Sequence, residues 1–149
     1  MENSTLTASA IMSFAEKLED DSVVFYEKLA QRFDEGRGAF LGFAEESKKN
    51  KTHLIRTYQE TISDALEATY SFEGLELADF DFETGLAEDV GFKEALEVAV
   101  RVEEEASRLY TEIAEQAQSL LATIPRAFSR VAKKRMARRE ILQTMVDKA

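Results

Sequence analysis

The chain of 149 residues has no cysteine, no tryptophan, one proline, one histidine and six glycines. Without cysteine there can be no disulfide framework, no thiolate zinc knuckle and no iron–sulfur cluster. With so little proline and glycine, little interrupts a helix over long stretches. No uninterrupted apolar run approaches the ~20 residues needed to span a bilayer. The opening MENSTLTASAIMSF has neither a basic leader nor a long apolar stretch, so no secretory signal is expected and cytoplasmic residence is. Apolar residues make up 44 % of the chain, an ordinary share for a single domain with one continuous core.

Positive charge is scarce except at one end. The net charge is −10, with 19 Lys/Arg against 29 Asp/Glu. From Arg126 onward there are eight bases and two acids, leaving 19 − 8 = 11 bases and 29 − 2 = 27 acids before it. A basic tail on an acidic body raises nucleic acid as a partner. The overall acidity opposes that reading at long range, and no nucleic-acid partner is expected. The basic segment is expected instead to pack on acidic neighbours.

What the chain does contain, it contains twice. Phe14–Gln31 (FAEKLEDDSVVFYEKLAQ) and Val98–Glu115 (VAVRVEEEASRLYTEIAE) superimpose at a spacing of 84 positions, Glu19 on Glu103 and Tyr26 on Tyr110. Leu18 then meets Val102, Phe25 meets Leu109 and Leu29 meets Ile113. Each copy is an amphipathic helix with a carboxylate two turns before a tyrosine. The period is too long for a solenoid repeat and fits a duplicated helical hairpin.

Periodicity predicts helix 1 from Ser9 to about Phe33, a turn over Asp34–Gly38 and helix 2 from Ala39 to Ala68. Residues 69–91 alternate aromatic and acidic side chains, as a crossover lying along a bundle would. Helix 3 is expected from Phe92 to about Ser119, and helix 4 from Thr123 and Pro125 to near residue 148. The expected fold is all-α: an antiparallel four-helix bundle in one domain, with hairpins 9–68 and 92–148 joined by a long crossover.

The two Glu-x6-Tyr segments, the hairpin–crossover–hairpin layout and the histidine in helix 2 resemble the stand-alone rubrerythrin-like proteins of the ferritin-like superfamily. The resemblance covers nearly the whole chain. It implies a di-iron site built from one Glu in each of helices 1 and 3 and a Glu-x-x-His pair in each of helices 2 and 4. Residues three apart share a helix face, so both members of a pair can reach one metal. In this chain Glu19, Glu103 and His53 match that pattern, whereas Asn50 and Arg135 stand in the two bridging-Glu places and Arg138 in the second His place. Tyr26 and Tyr110 flank the position without ligating it. A dimer is the expected assembly.

Two expectations follow. At about 100° per residue, Arg135 and Arg138 fall within the apolar arc of helix 4 centred on Val131. Buried guanidinium groups need carboxylates, and Glu19 and Glu103 are the expected partners. The function expected on this basis is structural or binding, without a cofactor. The competing expectation is an oxidoreductase or peroxidase with a reduced iron or manganese site of Glu19, Glu46, His53 and Glu103. The missing cysteines exclude a rubredoxin-type relay centre within the chain.

Overall fold

The computed structural model describes residues 6–61, 71–72, 75–117 and 123–149. Four long helices dominate it: α1 (Ala8–Arg32), α2 (Arg37–Thr61), α3 (Phe92–Gln116) and α4 (Thr123–Lys148). Helix α1 begins one residue earlier than periodicity predicts, because Thr7 caps it: its Oγ1 accepts the Ala10 N–H at 3.0 Å. A 3-10 turn, Asp34–Gly36, links α1 to α2. Gly36 is required there by close approach, since a Cβ would lie 2.7 Å from the Phe40 ring.

Helix α2 is described to Thr61, and its expected continuation to Ala68, with Ile62 and Ala65, lies outside the described residues. So does the expected end of helix 3 at Ser119; α3 as described closes at Gln116. The crossover contributes a feature that periodicity does not predict. Strand β2 (Ser71–Phe72) pairs antiparallel with β1 (Leu6–Thr7), Leu6 opposite Phe72 and Thr7 opposite Ser71. This ties the crossover to the start of α1. Farther along, Phe82 lies 5.7 Å from Phe14, and the Arg108 guanidinium sits 4.1 Å over the Phe80 ring. Arg32 donates to the carbonyls of Ala87 and Glu88, holding the crossover against the end of α1.

Helix α1 packs mainly on α2, and α3 on α4, with α2 also meeting α4. The core divides into two apolar clusters. One holds Ile11, Leu18, Leu54, Leu109, Ile113, Phe128 and Val131; the other holds Phe25, Leu29, Phe40, Phe43, Leu96, Ala99 and Leu142. On each helix the residues between the two clusters are polar: Glu19 and Ser22, Ser47 and Asn50, Glu103, and Arg135 with Arg138, all buried. A charged layer thus crosses the middle of the bundle, sealed from water by apolar side chains at both ends. Phe14, Tyr58, Val98 and Met145 are only partly buried and pack against these apolar clusters.

Candidate functional site

The layer is assembled from four helices by local spacing. Glu19, Ser22 and Tyr26 share one face of α1, Glu103 and Tyr110 one face of α3, and Arg135 and Arg138 one face of α4. Glu19, Glu103 and Arg135 have no exposed surface, and Arg138 has 1 %.

Arg135 lies between the two repeat-related carboxylates. Its Nη1 donates to both Glu103 oxygens at 2.8 and 2.9 Å, and its Nη2 donates to Glu19 Oε2 at 2.9 Å and to Ser22 Oγ at 2.8 Å. Ser22 Oγ in turn donates to the Leu18 carbonyl at 2.8 Å. The tyrosines bond crosswise: Tyr26 donates to Glu103 Oε2 at 2.5 Å and Tyr110 to Glu19 Oε2 at 2.6 Å. Each therefore serves the carboxylate of the other repeat. Glu19 Oε1 and Arg135 Nε, both buried, have no hydrogen-bond partner among the described residues.

Arg138 makes the expected contact with Glu103, at longer range, and none with Glu19 among the described residues. Its closest carboxylate is Glu46, whose Oε1 accepts from Nη2 at 2.6 Å and from Nε at 3.1 Å. Its Nη1 reaches Ser47 Oγ at 3.1 Å and Glu103 Oε2 at 3.3 Å. The guanidinium also lies 5.6 Å from the Tyr26 ring and 5.3 Å from the Phe43 ring, within cation–π range. The reason is register. Arg138 lies one turn beyond Arg135 along α4, opposite the α2 segment that presents Glu46 and Ser47. Because the Glu46 side chain keeps 34 % of its exposure, the network runs from the dry centre to the surface.

The electrostatics follow from this geometry. Burial pushes the Glu103 carboxyl up, but Arg135 and Arg138 outweigh it and hold the group below its ordinary value. Burial likewise disfavours the charged guanidinium of Arg135, and Glu103 and Glu19 reverse that, holding it well above its ordinary value. Tyr26 and Tyr110 are pushed well up, first by burial and then by the carboxylates they face. Two carboxylates and two guanidinium groups thus balance in a dry interior, which is the condition for keeping any of them charged there.

The remaining candidate residues do not join this layer's bonding. The Asn50 amide is buried, yet its Nδ2 has no partner among the described residues. His53 is half-buried, and its Nε2 is likewise without a partner among the described residues. Burial lowers its pKa, and Arg130, Lys134 and Arg56 lower it further. Glu19, Glu46, His53 and Glu103 do not converge as a ligand set. Among the described residues, no three His, Cys, Asp or Glu side chains form a group that could hold a metal ion. An iron or manganese pair does not fit the residues present, because Arg135 occupies the space between the two carboxylates and takes up both oxygens of Glu103.

Ser22 and Ser47 are components that sequence reasoning missed, together with the role of Glu46 as a guanidinium partner. Ser22 carried a usable signal: a hydroxyl three residues after an inward carboxylate shares its face. No family model, no curated protein and no solved structure matches the chain.

Proposed function

We propose that the chain is a cytoplasmic, rubrerythrin-like member of the ferritin-like superfamily that has lost its di-iron centre and serves a structural or binding role. The observation that carries this reading is the Arg135 guanidinium, without exposed surface, bonded to both Glu19 and Glu103. Relatives of that kind hold two cations between these carboxylates, whereas here a fixed side chain supplies the positive charge.

The antiparallel arrangement is part of the proposal. Tyr26 reaches Glu103 while Tyr110 reaches Glu19, so later residues of α1 meet earlier residues of α3. Lys51 to Asp20, Arg138 to Glu46 and the Tyr110–Phe128 ring contact follow the layout in which each helix runs against its neighbours. Two hairpins joined by a crossover along the bundle account for this pattern.

The test is metal analysis of protein produced in iron- and manganese-rich medium. The expected result is no stoichiometric metal and no peroxidase activity. Replacing Asn50→Glu, Arg135→Glu and Arg138→His together should then confer iron binding, since two carboxylates and an imidazole return to the interior. Two equivalents of tightly held iron or manganese in the unmodified protein, lost on Glu19→Ala or Glu103→Ala, would overturn the proposal in favour of a rubrerythrin-like oxidoreductase or peroxidase. The binding role is proposed to begin with a homodimer. Sedimentation equilibrium checks this, and a monomer throughout the accessible concentration range would remove it.

A further inference from the structure

A cleft of about 440 Å³ lies between α1 and the crossover, within the range of about 300–1,000 Å³ usual for small-molecule sites. Its α1 wall is one stripe, Phe14, Leu18 and Asp21 with Lys17 beside it, because residues three and four apart share a helix face. The crossover forms the opposite wall with Phe80 and Phe82, and adds Glu83. Leu18 is 5 % exposed and Phe80 9 %, whereas Lys17, Asp21 and Glu83 are exposed. The cleft therefore has an aromatic, apolar interior and a charged rim. The buried network makes no use of it.

The rim is rich in acceptors. Lys17 Nζ is taken by Asp21 Oδ2 at 2.6 Å, and Asp21 Oδ1 has no donor among the described residues. Glu83 Oε2 accepts the Gly85 N–H at 3.1 Å, and no cation of the described residues pairs with it. Arg101 donates to the Glu83 carbonyl and pairs with Asp81 at 3.6 Å, so it holds the crossover and leaves the Glu83 carboxylate free. Two carboxylates against one ammonium make the rim net negative. The rings favour positive charge as well. The Arg108 guanidinium lies 4.1 Å over Phe80, whose ring is parallel to that of Phe82 within 9°. Phe82 is 5.7 Å from Phe14, and among the described residues no guanidinium lies over either of these two rings.

We propose that this cleft binds a small organic cation, a primary amine carried on a compact aromatic body. The body lies against Leu18 between Phe14 and Phe82, and the ammonium donates to Asp21 and Glu83. Phe14 and Asp21 are seven residues apart, about 10 Å along α1, so one small molecule reaches from the aromatic end to the rim. Ring faces attract an ammonium, and a chain of net charge −10 draws cations towards it. An anion would face two carboxylates. A bare metal ion would leave the aromatic walls unused, and no three ligating side chains gather among the described residues. The site stands on its own observations and does not depend on the loss of a metal centre.

The test is an amide NMR titration of the full chain with phenethylamine, phenethyl alcohol and phenylpropionate, which carry different charges on one body. Saturable shifts centred on Leu18, Phe80 and Phe82 are expected for the amine, with the alcohol weaker and the acid weakest. Glu83→Gln removes one rim charge and should weaken the amine about two- to fivefold while leaving the alcohol unchanged. Asp21→Asn combined with Glu83→Gln leaves Lys17 as the one rim charge and should reverse the order of amine and acid. Both positions are exposed, so these variants keep the fold. Phe82→Leu should weaken the amine and the alcohol together. Glu60→Gln, in a separate cleft between α2 and α4, should change nothing. Absence of saturable amine binding, phenylpropionate binding as tightly as the amine, an order unchanged in the double variant, or an effect of Glu60→Gln equal to that of Glu83→Gln would overturn the proposal.

Discussion

Replacing Glu103 by glutamine tests the buried network most directly. The side chain accepts from Tyr26, from Arg135 through both oxygens, and from Arg138. The amide keeps the shape but removes the charge, leaving Arg135 with Glu19 and Arg138 with the part-exposed Glu46. Breaking a buried pair from one side costs roughly 3–5 kcal/mol. In a chain of this size that is a fall in Tm of about 6–20 °C. Glu19→Gln should cost less, about 1.5–3 kcal/mol, because the bonds from Arg135 and Tyr110 lose their charge assistance while Arg135 keeps both oxygens of Glu103. Urea unfolding of both variants, with Arg135→Met added to each, gives the coupling energies. A loss below about 1 kcal/mol for Glu103→Gln, or an equal loss for Glu19→Gln, would mean that the guanidinium groups reach water, and the reasoning from a dry layer would fail.

Three further outcomes are expected. The Glu103 carboxyl is held below its ordinary value of 4.5 in the folded chain, so its stabilisation is complete above that value and is lost as pH falls through the lower folded value. Wild-type stability should therefore decline more steeply in acid than that of Glu103→Gln; parallel declines in urea midpoint would refute this. Tyr26 and Tyr110 are raised well above 10.0, so their contribution is present below that pH and lost as pH rises. At least two of the four tyrosines should thus stay protonated in alkaline ultraviolet titration until the bundle unfolds, and complete ionisation of a folded chain would refute it. Gly36→Ala should destabilise by about 1–3 kcal/mol in thermal unfolding, because the added methyl meets the buried Phe40 ring at 2.7–2.8 Å; an unchanged Tm would show that the ring yields freely.

The residues that could be placed from sequence are those whose position depends on one helix alone. The 84-residue correspondence and the 3.6-residue period turn Glu19, Glu103, Arg135 and Arg138 inward without reference to their neighbours, and all four are buried. Pairing across helices depends on axial register, which turns and end contacts decide. For that reason Arg138 meets Glu46 more closely than the carboxylates first assigned to it. The crossed tyrosine bonds were hidden for the same reason, since in sequence each tyrosine lies nearest the glutamate of its own helix. The β1–β2 ribbon has two residues per strand, too few to carry an alternation. Asn50 and His53 were read against a metal pattern, which gave no indication that they border a basic groove.

The uneven supply of charge to the interior has a consequence for how the two halves of the chain recognise each other. Helices α1 and α2 bring carboxylates alone, Glu19 and Glu46, whereas α3 and α4 bring Glu103 with both arginines. Two copies of the first half, assembled in the same geometry, would enclose four carboxylates and no cation. Two copies of the second would enclose four guanidinium groups against two carboxylates. Each like pairing leaves uncompensated charge in a dry layer, and only the unlike pairing comes close to balance. Helix α3 repeats the apolar spacing of α1, with Leu18, Phe25 and Leu29 matched by Val102, Leu109 and Ile113, so apolar packing of these two helices does little to separate like from unlike pairing. The arginines of α4 oppose the like pairing and favour the unlike one.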